Sequence, residues 1–92
     1  MREIIESDGF KDGVRALGGH RAIDEALEPL IEALYLNPYG FEFFQNDWVT
    51  FRYARTRAIE LVPALVVIFT IAPNGDVILE HVEEDQDAAP RR

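Results

Sequence analysis

The chain has no cysteine and a single lysine, Lys11, among its 92 residues. The absence of thiols excludes disulfides and thiolate metal sites and fits a reducing, cytoplasmic setting. Long apolar runs are missing as well. No stretch reaches the about eighteen residues that mark a membrane-spanning helix, and the N-terminus lacks a basic-then-apolar leader pattern, so no membrane partner is expected. There is no glycine-rich phosphate loop, no GxSxG elbow and no HExxH, and two isolated histidines, His20 and His81, do not make a metal site. Neither cofactor nor metal is therefore expected. Basic residues are few: nine against 17 acids, for a net charge of −8. That sign repels a phosphate backbone at long range and argues against unselective nucleic-acid binding.

What remains is enough for one folded domain. With 48% apolar residues, the chain can bury sufficient surface to offset the entropy of ordering. Residues 1–84 are read as a single domain. Residues 85–92 continue an acidic stretch that begins at Glu80 and are read as a solvated tail.

Ile4 and Ile5 mark a short strand, and Ser7 with Asp8 offers N-cap chemistry for a helix whose face carries Phe10, Val14 and Leu17. Gly9 and Gly13 weaken that helix, and Gly18-Gly19 ends it in a turn toward a second one. From 20 to 36, Ile23, Leu27, Leu30, Ile31, Leu34 and Tyr35 recur at three and four. Asp24, Glu25, Glu28 and Glu32 take the wet side. Pro29 conflicts with this helix and predicts a kink near Glu25; Asn37-Pro38 stops it. Residues 39–44 fit a strand or a packed loop equally well, with most of the rings from Tyr39 to Trp48 expected in the core. Asn46 and Asp47 make the next turn.

Residues 48–57 alternate, with Trp48, Thr50, Arg52 and Ala54 on one side and Val49, Phe51, Tyr53 and Arg55 on the other. The second set looks core-like. Residues 64–72 are apolar on both faces, as in a central strand entered through Pro63. Asn74-Gly75 predicts a type I′ turn into a last strand over 77–83. The fold class is α+β: a small antiparallel sheet with an N-terminal helical hairpin packed on one face, in β-α-α-β-β-β order.

This pattern resembles the RelE/ParE/HigB superfamily of toxin-antitoxin toxins. The matching pieces are residues 10–17, 34–40 (LYLNPYG), 51–55 (FRYAR), 65–71 and 78–82 (ILEHV), nearly the whole chain in short motifs. The resemblance implies a ribosome-dependent mRNA endonuclease whose partners are a small antitoxin protein and the ribosome or RNA. By the same resemblance Arg52 and Arg55 match basic positions that would hold the scissile phosphate, and His81 matches a C-terminal catalytic position. Their chemistry suits the roles, because arginine's planar fork pairs with phosphate oxygens and histidine moves protons near neutrality. Alternation nevertheless sends Arg52 and Arg55 to opposite sheet faces unless a bulge re-aims one. Two departures weaken the match. Ala64 stands where many relatives have arginine, and Glu83 and Glu84 stand where the HigB branch has paired lysines. The alternative is a non-catalytic protein-interaction module on the same fold. Either reading leaves the oligomeric state open.

Overall fold

The computed structural model describes residues 2–19, 21–45, 47–48, 50–58 and 62–86. Two helices and five strands follow one another as β1 (Ile4–Glu6), α1 (Asp8–Ala16), α2 (Arg21–Leu36), β2 (Glu42–Gln45), β3 (Thr50–Arg55), β4 (Leu65–Ile71) and β5 (Val77–Glu84). A 3-10 turn, Pro38–Gly40, precedes β2. The α+β class, the order of elements and the N-terminal helical pair agree with the sequence. The undecided segment before residue 46 supplies one further strand, β2.

The strands lie in the order β1-β5-β4-β3-β2. The β2 to β5 meander is antiparallel throughout. The sheet is nevertheless mixed, because β1 pairs parallel to β5, Ile4 beside Val77 and Glu6 beside Leu79. The N-terminal strand is held at the tip of the hairpin. There Asp76 Oδ1 accepts from Glu3 N–H at 2.9 Å, and Val77 N–H donates to the Glu3 carbonyl at 2.8 Å.

β1 covers only the first part of β5. Beyond it the edge of β5 is lined by α1, entered through Ser7, whose hydroxyl accepts from Phe10 N–H and donates to the Glu80 carbonyl at 3.1 Å. The two glycines that lower helix propensity make this approach possible. A Cβ at Gly9 would lie 2.7 Å from the Glu80 carbonyl oxygen, and one at Gly13 would lie 2.5 Å from that of Val82. An exposed sheet edge is a pairing hazard that proteins cover, and here a close-packed helix covers it.

α2 runs through Pro29 as one helix. Its stripe of Ile23, Ala26, Leu27, Leu30 and Leu34 meets Phe10 of α1 and one face of the sheet: Ala54, Leu65, Val67, Phe69, Val77, Leu79 and Val82. Each large aliphatic or aromatic side chain so buried contributes about 1.5–3 kcal/mol. The alternation expected in β3 is inverted in its assignment. Ala54 is in the core, while Phe51 and Tyr53 are only half-buried on the outer face. Which face is covered is decided by the neighbours Val67 and Phe69 on β4, and alanine is too small to announce itself in a hydrophobic pattern.

The hairpin between β4 and β5 is present, but its turn differs from the two-residue type I′ expected of Asn-Gly. Gly75 N–H donates to the Ala72 carbonyl, and Ala72 N–H donates to the Asp76 carbonyl, each at 2.8 Å. The loop is therefore Pro73-Asn74-Gly75, with the left-handed position taken by Gly75 at φ 96°. Pro73 decides this, because its fixed φ suits the first central position of a type I turn. His20, Asn46, Val49 and residues 87–92 of the expected 85–92 tail lie outside the described residues; Asp85, read as part of that solvated tail, is instead held by its N–H on the Ala64 carbonyl at 2.8 Å, with its side chain 7% exposed.

Candidate functional site

The side chains singled out for chemistry stand on β3 and β5, the two neighbours of β4. Arg52 is opposite Phe69 on β4 and Phe43 on β2, so it projects from the face that the helices cover elsewhere. Near β2 that cover has run out. The Arg52 guanidinium lies 5.2 Å from the Phe43 ring centre and 5.6 Å from that of Tyr39, and donates to the Tyr39 carbonyl at 3.4 Å. A cation held over aromatic faces at a partly exposed site contributes about 0.5–1 kcal/mol. The geometry ties β3 to the Pro38–Gly40 turn.

Arg55, three residues on, is on the opposite face, opposite Val66. It donates to Asp85 Oδ1 at 2.9 Å and approaches Glu42 Oε1 at 3.8 Å. The Asp85 side chain is 7% exposed while that of Arg55 is 40% exposed, so the carboxylate is withdrawn from water and the guanidinium stays partly in it.

His81 shares the outer face with Arg55, for a reason that strict alternation conceals. Counting by twos from Val77 and Leu79 would place His81 in the core. The β4–β5 register slips between Ile68, opposite His81, and Phe69, opposite Leu79, leaving Glu80 as the extra residue of a bulge. The bulge turns His81 outward and Val82 inward. His81 Nε2 is 3.0 Å from Glu83 Oε1. Glu80 itself accepts from the Thr70 hydroxyl at 2.8 Å.

The three residues thus do not converge. Arg52 is on one face, and Arg55 and His81 are on the other. The rows containing Arg55 and His81 are crossed by Val66 and Ile68 of β4, so the two positions are two strands apart and two residues offset, roughly 12 Å. Each has its own carboxylate partner. A phosphate placed beside His81 would meet Glu83 and Glu80 before any guanidinium. A hollow of about 710 Å³ lies elsewhere, between α1 and α2, floored by Phe10, Val14, Leu27 and Ile31. None of the three chemical candidates lines it. Among the described residues no cluster of three or more His, Cys, Asp or Glu is arranged to hold a metal.

The feature that pattern reading missed is aromatic. Of the rings from Tyr39 to Trp48, only Phe41 packs inward, edge-on to Phe69 at 5.8 Å between centres. Tyr39 is 56% exposed, Phe43 58%, Phe44 54% and Trp48 88%. The expectation that most of these rings belong to the core is therefore corrected. Strand order explains why: β2 is the outermost strand, on the side of the sheet away from β5 and α1, and every residue of β2 is exposed. Consecutive phenylalanines on one strand must point to opposite faces, and the pair Phe43-Phe44 was the available sign that both faces there are open.

The fold and this margin define a small α+β protein with a mixed sheet, an N-terminal helical pair and a solvent-exposed aromatic edge. No helix among the described residues is long and apolar enough to cross a membrane. Comparison with protein-family models, curated proteins and solved structures gives no match.

Proposed function

We propose that this chain is a non-catalytic, cytoplasmic protein-interaction module that docks through its β2 margin. One observation carries the reading: an outermost strand whose residues are all exposed carries Phe43 and Phe44 and is flanked by Tyr39 and Trp48, each more than half exposed. Free backbone groups on an edge strand accept another strand, and rings exposed on both faces of that edge offer apolar contact to whatever pairs with it. A photo-crosslinking amino acid at position 44 tests this in the native host, with position 32 on the wet face of α2 as control. A discrete protein adduct at 44 and none at 32 is expected. No adduct at 44 removes the reading.

A second reading is a toxin-like component of a RelE/ParE-type pair, a ribosome-dependent mRNA endonuclease with weakened or lost activity and a small antitoxin as partner. The element order and the common face of Arg55 and His81 support it. Its test is growth arrest on induced expression, relieved by Arg52→Ala, Arg55→Ala or His81→Ala. A harmless wild type at high level ends this reading.

A further inference from the structure

We infer that the occupant of the β2 edge is a second copy of this chain, joined antiparallel about a two-fold axis so that two sheets of five strands become one sheet of ten. This rests on the reading of the β2 margin as a docking face and names the partner. Three observations carry it.

The first is area. Aromatic side chains bury about 150–250 Å² each. The exposed fractions of Tyr39, Phe43, Phe44 and Trp48 therefore offer roughly 500 Å² per protomer before any backbone is counted. A standard interface takes about 800 Å² per partner. With the backbone of a four-residue edge added, the contact sits at the small end of specific interfaces.

The second is self-complementarity. Across a two-fold normal to the sheet, facing residues must point to the same side, so their numbers sum to an even value. The central registers put Phe43 opposite its own copy, with Glu42 opposite Phe44, or Phe44 opposite its own copy, with Phe43 opposite Gln45. In neither does Glu42 face Glu42. The strand EFFQ is short and carries one charge, Glu42, but no lysine, proline or bulge of the kind that protects an edge from such pairing.

The third is charge placement. A net charge of −8 opposes self-association; on β2 the one acid is Glu42, which Arg55 approaches at 3.8 Å, and the acids at 80, 83 and 84 stand on β5, three strands from β2 and roughly 14 Å away. They are farther still from the partner's acids, and charges separated by more than about 8 Å at physiological ionic strength are largely screened.

Sedimentation velocity across a concentration series, combined with a scan of single cysteines, tests the inference. The chain has no cysteine of its own, so Glu42→Cys, Phe43→Cys, Phe44→Cys and Gln45→Cys report cleanly. Concentration-dependent dimerisation is expected. A disulfide-linked dimer should form efficiently at either position 43 or position 44 and poorly at the other three. The Phe43→Lys/Phe44→Lys variant, altered only at exposed positions, should weaken dimerisation at least about tenfold, or about 1.4 kcal/mol. A protein that stays monomeric to about 1 mM overturns the inference, since that limits the contact to about 4 kcal/mol. So does a dimer indifferent to the double lysine variant, or cross-linking that is equal or absent at all four positions. If the chain is monomeric yet a different protein is captured at position 44, the inference fails while the docking role of the margin stands. If neither a dimer nor an adduct forms, both fail.

Discussion

Gly13 shows how one atom decides the fit of α1 to the sheet. In an open helix Gly→Ala stabilises by about 1 kcal/mol, through backbone entropy. Here the added Cβ would sit 2.5 Å from the Val82 carbonyl oxygen and 2.9 Å from the Val82 Cγ1. Neither is the far end of a flexible side chain, so the helix must back away from β5. Gly13→Ala is expected to destabilise by about 1–3 kcal/mol, the usual cost of overpacking, and urea unfolding followed by circular dichroism measures it. A stabilised variant would mean that α1 does not lie against that edge. Arg55 gives a second residue-scale expectation. Its bond to the little-exposed Asp85 carboxylate makes it a structural residue first, and Arg55→Gln should cost about 1–2 kcal/mol in the same assay. Glu42→Gln removes only the longer, solvent-exposed pairing at 3.8 Å and should shift stability by less than about 0.5 kcal/mol.

At the level of elements, the β4–β5 hairpin shows both what the chain announces and what it hides. Asn74-Gly75 between apolar runs gave the hairpin and its partners, but the turn type depended on Pro73, one residue earlier. Gly75 at φ 96° is the position that a side chain cannot take without strain. Gly75→Ala should cost about 1 kcal/mol or more, even though nothing stands within 4 Å of the added Cβ. Loss of stability in open space would isolate backbone strain as the cause, and an unchanged midpoint would exclude a left-handed residue at 75. Helices α1 and α2 were legible from Phe10, Val14, Leu27 and Leu34, because a period of three to four is a local property of the chain. Face assignment in β3 was not, because Ala54 is buried by Val67 and Phe69, residues of another strand. The same holds for His81. Its outward position follows from the Glu80 bulge, which the sequence marks only by the three-residue spacing from Leu79 to Val82. In the candidate site, the separation of Arg52 from Arg55 was legible from alternation along one strand, whereas the face and distance of His81 depend on the β4–β5 register and its bulge.

For the molecule as a whole, charge and shape weigh against RNA as the natural ligand. Affinity for a nucleic-acid backbone comes mainly from cations that displace its counterions, and this chain carries nine bases against 17 acids. On β3 the cations are already engaged, Arg52 by two rings and Arg55 by Asp85 and Glu42. On β5 the approach to His81 is flanked by Glu80 and Glu83, whose side chains hold Thr70 and His81. A phosphate would have to displace these partners while meeting an unfavourable potential. A fluorescently labelled single-stranded RNA of about 20 nucleotides should therefore show no saturable binding at about 0.1 mM protein in about 0.15 M salt, an affinity weaker than ordinary non-specific binding. Lowering the salt should not rescue it, because screening at the higher ionic strength already moderates the repulsion. Tight binding that His81→Ala or Arg55→Ala weakens would reverse this conclusion and return the outer face to the nuclease reading, with Glu83 and Asp85 swinging away from their present partners on contact with RNA.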